Sequence, residues 1–457
     1  MKSKSAKLLA VRRVTQLNQG KKTAGIDGVK SLSPTQRLKL ANDLRLDEKS
    51  KPVRRIWIPK PWKTEKRPLG IPIMADRAKQ ALAKLVLEPE WEAKFEPNSY
   101  GFRPARSCQD AQQAIFTAVP KKNVYVLDAD IKGCFDNIDH GALLKKLNTY
   151  PKLRRVIRGW LKAGILEGEI FQKSRAGTPQ GGVISPLLAN IALHGLEYET
   201  KQALGDELFN YLKSSRGQAG RKRSQMNLCI VRYADDFVIM HESREIIEKA
   251  KEFVQQWLKQ MGLQLSETKT RITHTLKSTD GSEIGFKFLG FWVRQYPVRC
   301  RKRGYVTLIK PSPEGQRRHM EIIRKTLKQK LAAEQEEVIN QLNPVIQGWS
   351  NYYRHSVASA IFSKIDDYMF HRLWNWACQR HPTKGVEWVK RKYFRRYEGN
   401  CWRFRTHDGK MLNLHSETHI RRHIKIQGIR TPFDGDTEYW TKRLGKKFVG
   451  NNMMRCA

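Results

Sequence analysis

Apolar positions along the chain alternate between helical and extended periods, and this pattern fixes most of the expected elements. Residues 1–50 follow a helical period broken at Gly25-Ile26-Asp27-Gly28. Val53–Ile58 and Arg67–Pro72 read as short strands joined by a Pro59–Lys66 loop. Met74–Leu87 puts Met74, Ala78, Ala81, Leu82 and Leu85 on one helical face, with Pro89 expected to stop the helix. Val124–Leu127 is a short apolar strand running into Asp128-Ala129-Asp130. Gly181–Leu196 reads as a helix after a Gly/Pro turn, and 201–226, with Gly220-Arg221-Lys222-Arg223-Ser224-Gln225, reads as an exposed basic insertion. Leu228–Val231 and Phe237–Met240 are apolar strands flanking Tyr233-Ala234-Asp235-Asp236, a hairpin with carboxylates at its tip. Residues 314–342 predict one amphipathic helix, with Met320, Ile323, Leu327, Leu331, Val338 and Leu342 near one face. Residues 349–394 are aromatic-rich and helical in pattern, ending near His381-Pro382, and a basic, turn-rich tail follows from about 395. Domain boundaries are expected near 295–312 and near 395.

Composition narrows the classes of protein. Lys and Arg number 86 against 44 Asp and Glu, a net charge of +42 over 457 residues. The basic pairs are spread along the chain, including Arg12-Arg13, Arg54-Arg55, Arg154-Arg155 and Arg317-Arg318. A distributed surplus of this size fits a long polyanion, with nucleic acid favoured over lipid or heparin-like polymers. The nearest approach to a membrane-length apolar run, Val183–Leu193, is interrupted by Ser185, Pro186 and Asn190, so no integral membrane protein is expected. The seven cysteines are scattered without a C-x-x-C pair, which argues against a disulfide scaffold or a sulfur-rich zinc site and suits a reducing compartment.

Adjacent carboxylates at a hairpin tip repel one another, and folding alone does not favour them. A divalent cation relieves the repulsion, and an all-oxygen site suits Mg²⁺. If the strand ending in Asp130 joins the hairpin, three carboxylates converge, enough for two ions about 3.5–4 Å apart of the kind used for in-line nucleotidyl transfer. Period 2 puts Asp128 on the same strand face as Asp130, so the pattern alone does not choose between them.

At this point the sequence resembles the group II intron-encoded reverse transcriptases, nearest to the bacterial chloroplast-like lineage. Tyr233-Ala234-Asp235-Asp236 is similar to their Y-x-D-D signature, and Asp130-Ile131-Lys132-Gly133-Cys134-Phe135-Asp136 to their first catalytic motif, which selects Asp130. Gly177-Thr178-Pro179-Gln180-Gly181-Gly182 through Asn190, Tyr100-Gly101-Phe102-Arg103-Pro104, Gly25–Gly28 and Phe288-Leu289-Gly290-Phe291 resemble further blocks in the family's order. Leu342–Tyr353 is similar to the core of the maturase thumb, domain X.

The resemblance implies an α+β right-hand polymerase whose fingers and palm carry an antiparallel sheet, followed by an α-helical thumb/maturase domain and a small basic C-terminal region. The domains would be 1–50 (N-terminal extension and start of the fingers), 51–295 (fingers and palm), 296–394 (thumb, domain X) and 395–457 (DNA-binding tail). Asp130, Asp235 and Asp236 would hold two Mg²⁺ ions, with the Ile131 carbonyl as a further ligand. Lys60 and Arg67 would grip the triphosphate, Phe135 would select against a 2′-hydroxyl, Gln180 would approach the nucleotide, and Lys269 would face the pyrophosphate. Arg354, Arg372, Arg380, Lys390 and Arg391 would contact RNA, while Trp349, Trp374 and Trp376 would be mostly packed. The implied partners are group II intron RNA, a DNA target and primer, and dNTPs, in a bacterial cytoplasmic, nucleoid-associated setting, with no membrane. The implied activity is RNA-directed DNA synthesis in retrohoming, with assistance to RNA splicing. Many relatives end in an H-N-H nuclease domain with paired cysteines. Here the tail holds only Cys401 and Cys456, so that domain is not expected, and His407, His415, His419 and His423 are expected to contact nucleic acid or solvent. The alternatives are a splicing factor with a silent polymerase fold and a reverse transcriptase repurposed for defence or repair.

Overall fold

The computed structural model describes residues 3–60, 64–119, 122–174, 176–216, 227–279, 281–397 and 401–445. The chain forms two compact units, the first from residues up to 114, 125–272 and 425 onward, the second from 115–124 and 273–424. This division falls ahead of the expected 295–312 boundary.

In the first unit the N-terminal helices Lys4–Arg12 and Pro34–Asp43 pack Ala10, Val11 and Ala41 against Met74, Ala78 and Leu82. Ser33 caps the second helix reciprocally with Gln36, satisfying two backbone donors that a helix start leaves open. Strands β1 (Val53–Pro59) and β2 (Lys66–Ile71) form an antiparallel hairpin. β3 (Tyr125–Asp130) is followed by the short β4 (Ile165–Glu167) and β5 (Ile170–Gln172), which extend the β1–β2 sheet in the order β2-β1-β4-β5. β6 (Cys229–Tyr233), β7 (Asp236–His241) and β8 (Arg271–His274) join β3 in a second sheet, ordered β6-β7-β3-β8. Phe237, Val238, Ile239 and Met240 are all buried, which explains the continuous apolar run of β7. The helix Arg244–Lys259, capped by Ser243, adds Ile247, Val254 and Trp257 to the same core.

Three sequence expectations fail here for tertiary reasons. The helix from Met74 continues through Pro89 to Lys94. Proline inside a helix costs about 3 kcal/mol. Burial of Leu87 and Trp91 on either side, each worth about 1.5–3 kcal/mol, offsets that. The expected Gly181–Leu196 helix is Ser185–Ala192, and the polar stretch after it is not a loop at its start: helices Leu196–Ala203 and Gly205–Arg216 bury Leu196, Leu208 and Leu212, with Leu204 buried at their junction. Residues 217–226 of that insertion lie outside the described residues.

In the second unit β9 (Phe286–Phe288), β10 (Phe291–Pro297) and β11 (Tyr305–Pro311) form an antiparallel meander. Four helices follow: Pro313–Gln329, Gln335–Tyr353, Ser359–Arg380 and Val386–Tyr393. The single helix expected over 314–342 is therefore broken. Lys330 leaves helical geometry, and its carbonyl accepts from Trp376 Nε1 at 3.0 Å. Arg380 donates to the Leu331 carbonyl at 2.6 Å and also to that of Ala333. Side chains of a distant helix thus take the carbonyls a continuous helix would use. The tail is not only turns, since β12 (Phe394–Tyr397) pairs with β13 (Cys401–Phe404). Residues 425–445 belong to the first unit, where Asp110 accepts from Ile426 N at 2.9 Å and from Arg443 at 2.6 Å. Among the described residues no helix is long and apolar enough to cross a membrane.

Candidate polymerase site

β3 and β7 run antiparallel with Asp130 opposite Asp236, while Asp128 stands opposite Val238. β6 and β7 close with Tyr233 opposite Asp236, leaving Ala234 and Asp235 as the turn. Asp130, Asp235 and Asp236 therefore meet at one end of the sheet, as the pattern anticipated. Ala234 sits at φ 58°, a left-handed conformation that costs a non-glycine residue about 1–2 kcal/mol. Packing holds it there. A Cβ on Gly101 would come within 2.3 Å of Ala234 N, so only glycine fits beneath the turn. Arg232 donates to the Asn190 side-chain oxygen at 3.0 Å and to the Ala234 carbonyl at 3.2 Å. Asn190 in turn donates to the Gly101 carbonyl at 2.8 Å. Arg103 anchors the same loop by a buried fork onto Glu92 and bonds to the Glu96 and Ser99 carbonyls.

The acids repel one another as expected. Removal from water, then the charges of Asp235 and Asp130, push the Asp236 carboxyl up to about 7, although the residue stands exposed at the tip. Asp235 is also raised, mainly by burial and secondarily by Asp130, with Arg67 and Lys269 opposing the rise. Lys269 donates to Asp130 Oδ2 at 2.6 Å, and that bond is the main reason its ammonium is held above its usual range. Among the described residues no three acidic, histidine or cysteine side chains are arranged to ligate one ion as they stand. The donor set nevertheless suits a divalent cation: three carboxylates at one end of the sheet, two of them held protonated above the usual range by burial and by one another, and a lysine now supplying positive charge to the third. The backbone around Ile131 is fixed, since Ser266 N donates to the Asp130 carbonyl at 2.8 Å and Lys132 N to Gln264 at 2.9 Å.

The other expected nucleotide contacts divide. Gln180 donates to Asp136 at 3.1 Å, and its carbonyl accepts from Gly70 N of β2 at 2.6 Å. Gly181, at φ 114°, allows that approach, since a Cβ there would lie 2.8 Å from the Gly70 carbonyl. Phe135 is half-buried, edge-on to Phe102 at 6.1 Å, and its carbonyl accepts from Thr178 N. Arg67 is exposed and acts on Asp235. Lys60 instead pairs with Glu65 at 2.7 Å across the end of the β1–β2 hairpin. Arg55, read only as part of a basic pair, acts electrostatically on Asp136. Arg232 and Asn190 lay inside or beside quoted motifs, but their roles need the fold to be seen.

The expected RNA contacts in the second unit also divide. Arg391 is exposed, and Arg372 lies over the Tyr368 ring at 5.0 Å. Lys390 lies over Trp402 at 4.4 Å, and Arg354 donates to Asn351 at 3.3 Å. Arg380 is engaged within the unit, its donors holding carbonyls and the Tyr393 hydroxyl. His415 is a correction. It is fully buried in a 3₁₀ turn, bonded to Asp366 at 2.6 Å and to His319 at 2.7 Å, with His319 stacked on Trp349. Trp376 is buried, and Trp349 and Trp374 are half-buried.

The site and its framework place the chain in the reverse transcriptase class of folds. Residues 58–293 match the family described as reverse transcriptase (RNA-dependent DNA polymerase), and the chain belongs to it. Residues 316–394 match the group II intron maturase-specific domain and residues 1–44 the N-terminal domain of reverse transcriptase. The chain is 37% identical over 303 residues to the group II intron-encoded protein LtrA of Lactococcus lactis subsp. cremoris, covering 56% of this chain and 48% of LtrA. It is 30% identical over 338 residues to protein YkfC of Escherichia coli (strain K12), covering 68% of this chain and 86% of YkfC. It is also 30% identical over 359 residues to a 91 kDa protein in the cob intron of Schizosaccharomyces pombe, covering 63% of this chain and 42% of that protein. The chain thus spans about half the length of LtrA.

Proposed function

We propose that the chain is an RNA-directed DNA polymerase and group II intron maturase, binding intron RNA, assisting its splicing and copying it from a DNA primer during retrohoming. The register pairing of Asp130 with Asp236, with Asp235 in the adjoining turn, carries this reading. Asp130, Asp235, Asp236 and the Ile131 carbonyl would hold two Mg²⁺ ions, which would supply charge neutralisation and a more acidic attacking hydroxyl. Arg67 positions the triphosphate of a dNTP, and Gln180, tied to Asp136 and to β2, orders the floor beside it. Phe135 presses against the sugar and excludes a 2′-hydroxyl. Lys269 releases Asp130 and holds its proton beside the departing pyrophosphate. The exposed cations Arg372 and Arg391, with Arg354 and Lys390, serve the RNA backbone, and the basic tail serves the DNA target. The scattered cysteines suit a reducing, cytoplasmic compartment, and nucleic-acid binding suits a nucleoid-associated one.

The test is primer extension on an RNA template with dNTPs and Mg²⁺, using wild type and the Asp235→Asn/Asp236→Asn variant. Extension falls by at least about 10³-fold, the several kcal/mol a metal centre supplies, while RNA affinity stays within about twofold. Equal loss of both would make the acids structural and sink the assignment. A silent polymerase fold retained for RNA binding is the second reading, favoured by Lys269 already neutralising Asp130. Wild-type RNA binding without any extension would select it.

A further inference from the structure

The helix Pro151–Lys162 buries Leu153, Val156, Ile157, Trp160 and Leu161 and turns Arg154, Arg155, Arg158 and Lys162 outward. These four cations line a cavity of about 460 Å³ with His140 and Leu144. None of the motifs that carry the polymerase reading includes the four cations. The helix is fixed in place. Ser50 Oγ donates to the Gly159 carbonyl at 2.9 Å, and a Cβ on Gly159 would lie 2.6 Å from the Glu48 carbonyl. His140 is buried and bonds the Gly177 carbonyl at 2.7 Å, which ties the cavity floor to the start of the loop bearing Gln180. Of the four cations, Arg155 pairs with Glu48 at 3.0 Å. Arg154, Arg158 and Lys162 are exposed and stand one helical turn apart, about 6 Å of rise per step, so they form a row.

We propose that this cavity is a binding site for the phosphodiester backbone of a nucleic-acid strand, with Arg154, Arg158 and Lys162 meeting successive phosphates. Guanidinium groups fork onto two oxygens of a phosphate, and a row of cations on a rigid helix matches a repeating anion better than it matches scattered carboxylates. Glu48 sets the strength of the site by holding Arg155 back. The site positions a strand and does no chemistry. It rests on the nucleic-acid binding in the proposed function and not on DNA synthesis.

The test measures affinity of fluorescently labelled nucleic acid across a KCl series, for a structured RNA and for a DNA primer on an RNA template. The Arg154→Ala/Arg158→Ala/Lys162→Ala variant, whose substitutions are all on the exposed face, is compared with Lys249→Ala/Lys251→Ala/Lys259→Ala, which removes the same charge from another helix. The cavity variant should weaken binding roughly 10- to 100-fold and flatten the log–log salt slope by about 2–3, whereas the other changes the slope by less than about 1. Glu48→Gln should steepen the slope by about 1 and gives a reading even if the triple variant folds poorly. Loss confined to the structured RNA assigns the cavity to that ligand, and loss confined to the primer–template assigns it to the copied strand. Equal flattening by both triple variants, or an unchanged slope in Glu48→Gln, overturns the proposal. No effect on either nucleic acid also overturns it and leaves the cavity to an acidic protein. DNA synthesis is not read, so a failed polymerase assay leaves this result intact.

Discussion

Two tight hairpin turns, one in each unit, solve the same backbone problem in opposite ways. Tyr233–Asp236 turns with Ala234 at φ 58°, and Phe288–Phe291 turns with Leu289 at φ 50° and Gly290 at φ 79°. Both place a side-chain-bearing residue in the left-handed region, where strain persists only if the surroundings over-determine it. The first turn is held from beneath by a buried arginine, an asparagine and the bare backbone of Gly101. The second is held by hydroxyls: Tyr352 donates to the Leu289 carbonyl at 2.8 Å and Tyr353 to the Gly290 carbonyl at 3.1 Å. The polar clamp leaves the tip of the first turn free to present carboxylates. Tyrosine rings cover the second, which presents no charged group.

The comparison is broken most sharply by adding one methyl group to each turn's glycine. Gly101→Ala puts a Cβ 2.3 Å from backbone, which must move, carrying Asp235 and Asp236 with it. A displacement of about 1 Å at reacting groups costs roughly 10²-fold, so primer extension should fall at least that far. Gly290→Ala meets only the Tyr353 hydroxyl at 3.0 Å plus the left-handed strain, about 1–2 kcal/mol, and should lower the melting temperature while keeping extension within about tenfold. Similar losses of extension in both variants would erase the distinction.

A smaller effect separates the two clamps. Asn190→Ala removes an acceptor from buried Arg232 and a donor from Gly101, costing about 2–3 kcal/mol in denaturant unfolding. Tyr352→Phe removes one neutral hydrogen bond, worth about 1 kcal/mol. Equal costs would mean the buried charge contributes no more than a hydroxyl.

The smallest effect is in pH. The folded chain keeps the Asp236 proton up to about 7, while an unfolded aspartate releases it near 4. The folded state therefore binds more protons across that window, and stability from this group falls as pH rises through it. In metal-free buffer the melting temperature should drop more between pH 5.5 and 7.5 in wild type than in Asp236→Asn, and added Mg²⁺ should narrow the difference. An identical drop in both would show that the carboxylates do not strain the turn.

Local pattern made the acids legible. Asp235 and Asp236 lie between two apolar strands, so period-2 alternation and a two-residue turn suffice to bring them together, whereas the β3–β7 register, which sets Asp130 opposite Asp236, is needed to gather the third. The same locality leaves partners across the fold unseen. Lys60 pairs with Glu65 across the hairpin, and the Leu331 and Ala333 carbonyls engage Arg380. His415 is expected at the surface, whereas Asp366 and His319 hold it buried.

The sequence by itself determined which carboxylates flank the turn, the strands that carry them and the chain's cationic surplus, because turn chemistry and side-chain period are properties of neighbouring residues and net charge is a sum that needs no fold. Only the tertiary structure decided that a helix survives Pro89, that another breaks at Lys330, and that Arg232, Asn190 and Gly101 brace the turn. Each of those outcomes depends on a partner dozens of residues away or on burial that offsets a local cost, and neither is written in the spacing of adjacent residues.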